Sequence, residues 1–191
     1  MIFTIVFVVH GDKMKFQTTE DPVLLSNPPM NEQGMMQIQS IVPKIKELGP
    51  FDLAYSSRLC RGNDVNSILC MALNMDWRTS RLLGQHASRQ SGKTYFYPQC
   101  EKEWYDYWQK NAILFVTNNL RMSHLSQDMS GEVKVLIGTH RPIVAGLIGW
   151  ARGVTNTEML KGWARSEEMW KDLIHIFRYN PNAGVFEYLN D

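Results

Sequence analysis

Residues 2–12, with the sequence IFTIVFVVHGD, decide the fold that this chain is expected to adopt. Residues 2–9 are almost all β-branched or aromatic and apolar, which is typical of a strand that is buried on both faces. Such a strand usually lies in the middle of a parallel sheet and ends at the edge where open α/β folds bind ligands. His10 follows directly, and Gly11 allows a sharp turn after it. We therefore predict that His10 stands at a ligand-binding edge; on this residue alone, a histidine that merely ends a strand is an equal alternative.

A second buried strand is predicted at residues 133–139 (VKVLIGT), and it also ends in a histidine, His140. Arg141 and Pro142 follow, and proline is well tolerated in the first turn of a helix. If the two strands are neighbours in one sheet, both imidazoles lie at the same edge. The sequence therefore predicts that His10 and His140 converge, although they are far apart along the chain.

The remaining patterns alternate between helices and strands. Helices are expected from the cap Asn31 to residue 48, from Ser56 or Ser57 to about residue 73, and over residues 101–125. Further strands are expected at 51–55, 173–177 and 184–189, the last two antiparallel to each other, and residues 75–100 are expected to be irregular. This alternation predicts an α/β fold, a three-layer α/β/α sandwich with a mostly parallel central sheet. Residues 1–191 are expected to form one domain, with an irregular and helical insert at about 84–130.

Composition limits the partners and the compartment. The chain has 191 residues, 44% of them apolar, and a formal charge of +1. This balance indicates neither a nucleic acid nor an anionic membrane surface as a partner. Cys60, Cys70 and Cys100 lack the spacing of metal ligands, and we expect free thiols in a reducing compartment. The apolar start lacks the basic segment and cleavage site of a signal peptide and is too short to span a bilayer, which predicts a cytoplasmic protein.

Positive side chains are expected at the same edge as the two histidines. Arg58 and Arg61 follow the strand at 51–55 and are one helical turn apart. Arg141 directly follows His140, and the helices that begin here also direct backbone N–H groups towards the edge. Guanidinium groups bind phosphate oxygens in pairs. The arrangement therefore predicts a site for an anion of the size of phosphate, with solvated surface residues as the alternative for Arg58 and Arg141.

Four motifs in this order resemble the histidine phosphatase superfamily, in its phosphoglycerate mutase-like branch. They are Val9-His10-Gly11, MNEQGMMQI at residues 30–38, SSRLCRGNDV at 56–65, and the strand that ends in His140. The resemblance implies a phosphoglycerate mutase-like fold and a phosphomonoester hydrolase or mutase that needs no metal and no other cofactor. It also implies a phosphorylated small molecule or a phosphopeptide as the substrate.

The resemblance assigns roles to individual residues. His10 would be the nucleophile that takes the phosphoryl group as a phosphohistidine, while Arg61 and His140 would hold the phosphate oxygens and stabilise the transition state. The remaining phosphate-binding residues would be Gly11, Arg58, Arg141 and Gln85.

Three positions depart from the pattern of this superfamily. Val9 stands where an arginine is usual, and Phe16, next to Gln17, stands where a polar residue is expected. Gln85 aligns with the acid that normally protonates the leaving group, and glutamine cannot serve as an acid. The acids that could replace it are Asp12, Glu20, Glu101 and Glu103. An arginine introduced at position 9 is expected to raise phosphate affinity, provided that this position faces the pocket.

Two main functions follow from these observations. The first is a phosphomonoester hydrolase that acts through His10, with weak activity because of Val9 and Gln85. The alternative is a pseudoenzyme that binds a phosphorylated ligand or a protein partner without turnover. Mutase activity would need a lid, for which residues 84–108 are the candidate segment. The aromatic side chains of that segment, if exposed as a patch, would indicate a partner surface or a homodimer.

Overall fold

The computed structural model describes residues 1–14, 27–84, 88–90, 93–96, 109–120, 131–167 and 170–190. The strands are β1 (Ile2–Val9), β2 (Leu53–Ser57), β3 (Arg78–Ser80), β4 (Ser88–Gln90), β5 (Lys93–Phe96), β6 (Glu132–Thr139), β7 (Ile174–Asn180) and β8 (Val185–Tyr188). The α-helices are α1 (Glu32–Ser40), α2 (Val42–Leu48), α3 (Cys60–Leu73), α4 (Arg141–Ala151) and α5 (Thr157–Arg165). A short 3-10 helix covers Arg81–Leu83, and residues 109–120 are helical, with a π-helix at Phe115–Leu120.

The central sheet has six strands in the order β3-β2-β6-β1-β7-β8. Strands β3, β2, β6 and β1 are parallel, whereas β7 is antiparallel to β1 and β8 is antiparallel to β7. This confirms the predicted mostly parallel sheet and the antiparallel pair that closes the chain. Strands β4 and β5 form a separate antiparallel pair.

The pairing of β1 with β6 positions the two histidines. Val9 is the register partner of Thr139, so the residues that follow them emerge side by side. A hydrogen bond from the His10 amide to the Thr139 carbonyl, 3.2 Å long, extends the pairing by one residue. The two histidines therefore leave neighbouring strands at the same level of the sheet.

Both faces of β1 are buried, as its composition predicted. Phe3, Ile5, Phe7 and Val9 pack in the core on one face, while Val6 and Val8 pack in the core on the other. Each such side chain contributes about 1.5–3 kcal/mol of favourable burial, which holds β1 in the middle of the sheet. The chain that leaves β1 is thus anchored up to Val9.

Two predicted helix boundaries were wrong. The helix expected from Asn31 to residue 48 is two helices that meet at Ile41, because Pro43 has no N–H with which to continue the hydrogen-bond ladder. Asn31 is confirmed as the N-cap of α1, since its Oδ1 accepts a hydrogen bond from the Gly34 amide at 2.7 Å. Helix α3 begins after Leu59 rather than at Ser56 or Ser57, and Asn27 Oδ1 accepts a hydrogen bond from the Cys60 amide instead.

The predicted insert lies only partly within the described residues. The helix expected at 101–125 is confirmed for 109–120, and its two ends lie outside the described residues. The stretch expected to be irregular contains β3, which pairs with β2 at the edge of the sheet, and the β4-β5 pair. In the part of the chain that the structure describes, no helix has the length and apolar character needed to cross a bilayer. Cys60 and Cys70 lie in α3 as free thiols, while Cys100 is outside the described residues.

Candidate active site

A cleft of about 770 Å³ opens at the carboxyl ends of β1 and β6. Its described lining contains both imidazoles and a clear excess of positive charge. The charged or titratable lining side chains are His10, His140, Lys13, Arg61, Arg141 and Asp12. Among the described lining residues, Asp12 therefore carries the only carboxyl group. In the described ranges, no three His, Cys, Asp or Glu side chains are grouped closely enough to hold a metal ion.

The two histidines meet at this cleft, as the sequence predicted. Their ring centroids are 5.1 Å apart, and the ring planes are inclined by 65°. His10 remains partly exposed, whereas His140 is 2% exposed. The side chain that is more open to a ligand is thus that of His10.

Hydrogen bonds determine which nitrogen of His10 carries the proton. Nδ1 lies 2.7 Å from the Gly11 carbonyl oxygen, which can only accept, so Nδ1 must donate. Nε2 accepts a hydrogen bond from Nε of Arg61 at 3.3 Å. The lone pair of His10 is therefore on Nε2, which is also the atom beside the Arg61 guanidinium.

Arg61 is held from two sides at the start of α3. It is 5% exposed, and besides its contact with His10 it donates from one terminal nitrogen to the Pro28 carbonyl oxygen at 3.0 Å. Asn27, next to Pro28, caps the first turn of the same helix. The Asn27–Pro28 segment thus fixes both the helix start and the direction of the guanidinium group.

His140 is oriented by Ser57, the last residue of β2. Ser57 Oγ lies 2.8 Å from Nε2 of His140, and Ser57 is fully buried. The same Oγ accepts a hydrogen bond from the Leu59 amide at 3.2 Å. Among the described groups, Nε2 of His140 is the acceptor within reach of the Ser57 hydroxyl proton, and this assignment leaves the imidazole proton on Nδ1. Nδ1 is buried and has no hydrogen-bond partner among the described groups.

The segment that follows His10, residues 11–12, is held in place by helix α1. Gln37 Oε1 accepts a hydrogen bond from the Asp12 amide at 2.9 Å, and the Asp12 carbonyl accepts one from the Asn31 amide at 3.0 Å. A Cβ atom at Gly34 would overlap the backbone of Asp12, and one at Gly11 would lie 2.5 Å from the Gly34 carbonyl oxygen. Glycine at both positions therefore lets this segment approach α1 closely enough to form these bonds.

Burial and positive neighbours keep both imidazoles neutral. The pKa of His10 is lowered from 6.5 to about 3, mainly by burial. The hydrogen bond to the Gly11 carbonyl raises this pKa, but by less than burial lowers it, and the positive charges of Arg61, Arg141 and Lys13 lower it further. The pKa of His140 lies well below 6.5 because of burial and then the charges of His10 and Arg61. A neutral imidazole is the form that can act as a nucleophile.

Comparison with known proteins addresses the fold of the chain. No protein-family model matches the sequence, and no curated protein matches it either. Among solved structures, Bacillus stearothermophilus YhfR superposes with a TM-score of 0.63 at 13% identity, covering 97% of this chain and 95% of that one. A mycobacterial glucosyl-3-phosphoglycerate phosphatase in complex with VO3 gives a TM-score of 0.62 at 14% identity, over 97% and 96% of the two chains. A Plasmodium falciparum phosphoglycerate mutase gives 0.58 at 10% identity, over 100% and 91%.

This chain has the phosphoglycerate mutase-like fold. The agreement extends over nearly the whole length of each pair of chains. The fold that the four sequence motifs predicted is thereby confirmed, including its mixed α/β architecture.

Within the phosphoglycerate mutase-like fold, some of the predicted site residues line the cleft and others do not. His10, Gly11, Arg61, His140 and Arg141 all line the cleft. The structure gives no support for a phosphate contact of Arg58, because its side chain is exposed and is not part of the described lining. Gln85 lies outside the described residues, as do Phe16, Gln17, Glu20, Glu101 and Glu103.

Val9 does not face the cleft. Its side chain is 0% exposed and packs in the core with Phe3, Ile5 and Phe7. The condition for a gain in phosphate affinity from an arginine at this position, that it faces the pocket, is therefore not met by this backbone. Strand alternation was the signal that could have shown this, because residues 3, 5, 7 and 9 share one face.

Several residues of the site were missed by the sequence analysis. Lys13 lines the cleft, Gln37 accepts a hydrogen bond from the Asp12 amide, and Ser57 binds His140. Gln37 and Ser57 stood within recognised motifs, but their partners belong to other elements. Ala164 also lines the cleft, and it belongs to helix α5, which the sequence analysis did not predict. Asn156 could have indicated that helix, because its side chain accepts hydrogen bonds from the amides of Glu158 and Met159 as the N-cap.

Proposed function

We propose that this chain is a phosphomonoester hydrolase of the histidine phosphatase type, acting through a phosphohistidine at Nε2 of His10. The observation that carries the proposal is the 2.7 Å contact between Nδ1 of His10 and the Gly11 carbonyl. It places the proton on Nδ1 and leaves the lone pair on Nε2, beside the guanidinium group of Arg61. A histidine that merely ended a strand would need neither feature.

In the first step, the hydrogen bond from Nε–H of Arg61 passes from Nε2 of His10 to a phosphate oxygen, and the freed Nε2 lone pair attacks the phosphorus atom. A P–N bond forms while the bond from phosphorus to the leaving oxygen breaks, and that oxygen takes a proton. Asp12 is the carboxyl group that the described lining offers as a donor, and water is the other source. The Nδ1–H bond to Gly11 persists, so it stabilises the positive charge that develops on the imidazole ring.

In the second step, a water molecule attacks the phosphohistidine. The new P–O bond replaces the P–N bond, the electron pair returns to Nε2, and the water proton passes to the carboxylate or to solvent. Arg61 supports the charge on the phosphate oxygens in both steps, since it already lies within 3.3 Å of the reacting nitrogen. His140 contributes Nδ1–H, the ring nitrogen without a partner among the described groups, and because this nitrogen is buried the ring turns towards the phosphate when it binds.

Arg141 and Lys13 add to the positive charge of Arg61 in the cleft, whereas Val9 packs in the core. Both line the cleft, and both act on His10 strongly enough to lower its pKa. Together with Arg61 they outnumber the one carboxylate of the described lining, which favours a phosphate dianion. The substrate is a phosphorylated small molecule or a phosphopeptide.

The experiment is hydrolysis of an aryl phosphate by the wild-type chain and by His10→Ala. We expect slow hydrolysis that is unaffected by a metal chelator and is absent in His10→Ala. Quenching a reaction in alkali, where phosphohistidine is stable, should show one phosphoryl group on the peptide that contains His10. A phosphoryl group on any other residue, or equal rates for the two proteins, would refute the mechanism.

The alternative is a protein that binds a phosphorylated ligand without turnover. Val9 favours it, because an apolar core side chain stands where an arginine of the superfamily would bind phosphate. Saturable binding of inorganic phosphate, combined with no hydrolysis of several substrates between about pH 5 and about pH 9, would establish this alternative.

A further inference from the structure

Trp170 lies next to the cleft without lining it, and it contacts a charged residue that does. The guanidinium carbon of Arg141 is 5.7 Å from the centre of the Trp170 ring, a cation–π distance. Arg141 lines the cleft, half-buried, as the first residue of α4. The Trp170 ring therefore lies against the arginine that directly follows His140 in the cleft.

The indole ring is held firmly in this position. Trp170 is 4% exposed, and its Nε1–H donates to the carbonyl of Trp163 in α5 at 2.9 Å. Its ring also makes an edge contact with His175 of β7, with centroids 5.0 Å apart. The ring is thus held between α5 and the central sheet by contacts that do not involve Arg141.

The segment that carries Trp170 is also tied to the end of β1. The Leu173 carbonyl accepts a hydrogen bond from the Val9 amide at 2.9 Å, one residue before His10. His175 is the register partner of Phe7 on the same strand. The positions of His10 and of the Trp170 ring are therefore set by one rigid part of the sheet.

We propose that Trp170 is a positioning residue that holds the Arg141 guanidinium for contact with a bound phosphate. This rests on the proposed function and deepens it. A long arginine side chain loses rotamer freedom when it binds an anion, and a ring that already restricts it lowers this entropy cost. Arg141 is one of three cationic side chains of the described cleft lining, with Arg61 and Lys13, and it is the one that packs on an aromatic ring at a cation–π distance.

The test is a double-mutant cycle on the affinity for inorganic phosphate and orthovanadate, measured by calorimetry. Trp170→Leu is expected to weaken binding about 3-fold to 30-fold in the wild-type background. In an Arg141→Gln background, the same change should leave the affinity within about 2-fold, because the side chain through which Trp170 acts is absent. Trp170→Phe retains an aromatic face and should recover most of the lost affinity.

Trp163→Leu is the matched control. Trp163 stacks with Arg152 at 5.8 Å, a pair of the same kind that does not belong to the described cleft lining. This substitution retains the backbone carbonyl that accepts the Trp170 Nε1–H, so it should lower stability and leave phosphate affinity unchanged. An equal loss of affinity on Trp170→Leu in both backgrounds, or no loss in either, would overturn the proposal.

A second measurement covers the case in which Trp170→Leu does not fold. The Nε–H resonance of Arg141, assigned by its absence in Arg141→Gln, should be shifted upfield by the indole ring and should move when phosphate is added. An unshifted resonance overturns the positioning role.

Phosphate binding that depends on Trp170 and Arg141, but without hydrolysis, would refute the proposed function only. A wild-type chain that binds neither anion would refute both.

Discussion

Replacing Ser57 by alanine removes the hydrogen bond that orients His140. Ser57 Oγ lies 2.8 Å from Nε2 of His140 and also accepts the Leu59 amide at 3.2 Å, so two bonds are lost. Ser57 is 0% exposed and His140 is 2% exposed, which leaves both ring nitrogens of His140 buried without a partner among the described groups. The substitution therefore tests whether the serine at the end of β2 holds the second imidazole of the site.

The expected loss follows from the cost of an unpaired buried polar group. Leaving such a group without its partner costs about 1–3 kcal/mol. For a chain of this length, 1 kcal/mol corresponds to about 2–4 °C in Tm, so we expect a decrease of about 2–12 °C. A freed imidazole also loses its fixed tautomer and direction, which we expect to reduce kcat by up to about 100-fold.

Ser56→Ala is the matched control on the same strand. Ser56 is equally buried, but its Oγ contacts Asn63 Oδ1 at 3.3 Å, and that oxygen also accepts from Trp77 Nε1 at 2.8 Å. Its removal leaves the Asn63 oxygen still paired, and we expect a loss of about 1 kcal/mol or less with unchanged kcat.

The measurements are thermal unfolding by circular dichroism and steady-state hydrolysis of an aryl phosphate by the three proteins. We expect a larger decrease in Tm for Ser57→Ala than for Ser56→Ala, and a decrease in kcat for Ser57→Ala alone. Equal effects of the two substitutions, or a Ser57→Ala variant as stable and active as the wild type, would show that His140 does not depend on this bond.

Three further predictions concern the contact of α1 with the segment after His10, the core, and the pH dependence of stability. Gly34→Ala should destabilise the chain by about 1–3 kcal/mol in urea titrations, because the new Cβ overlaps the Asp12 backbone. Gly162→Ala, which lies in open space on α5, is the control and should be neutral or stabilising by up to about 1 kcal/mol. The opposite ranking would contradict the close packing of α1 on the segment after His10. Val9→Arg should lose at least about 3 kcal/mol without any gain in phosphate affinity by calorimetry, since it buries an unpaired charge in the core, and tighter phosphate binding would show that the side chain reaches the cleft. His10, His140 and His175 have pKa values lowered below 6.5, that of His10 to about 3 and that of His175 to about 4, so the unfolded chain takes up protons that the folded chain does not. The free energy of unfolding should therefore be highest above about pH 6.5 and should fall by on the order of a few kcal/mol as the pH is lowered towards about 3. Equal free energies of unfolding from urea titrations at about pH 7.5 and about pH 5 would refute this prediction.

The strands that carry the two histidines could be predicted because their signal is local. Residues 2–9 and 133–139 are largely apolar at consecutive positions, and that pattern identifies a strand covered on both faces without knowledge of its neighbours. The observed strands, Ile2–Val9 and Glu132–Thr139, agree with it closely. The helix that begins at Arg141-Pro142 was also a local feature, and it is present.

The partners of the site residues could not be predicted in this way. Ser57 binds a histidine 83 positions away, and Gln37 binds an amide 25 positions away. Neither distance follows from the spacing of the residues, because it depends on which strands and helices become neighbours. The break of the first helix at Ile41, by contrast, could have been predicted from the sequence, because Pro43 is a local signal for it.

By itself, then, the amino-acid order determined that two buried strands end in histidines, and that glycine and arginine residues accompany them. Only the tertiary structure decided that β1 and β6 are adjacent in register, that Val9 turns into the core, and that Trp170 packs on Arg141. The physical reason is the range of the forces involved. Side-chain periodicity is set within one strand or helix, whereas an active site consists of contacts between elements whose pairing depends on the burial of the whole core.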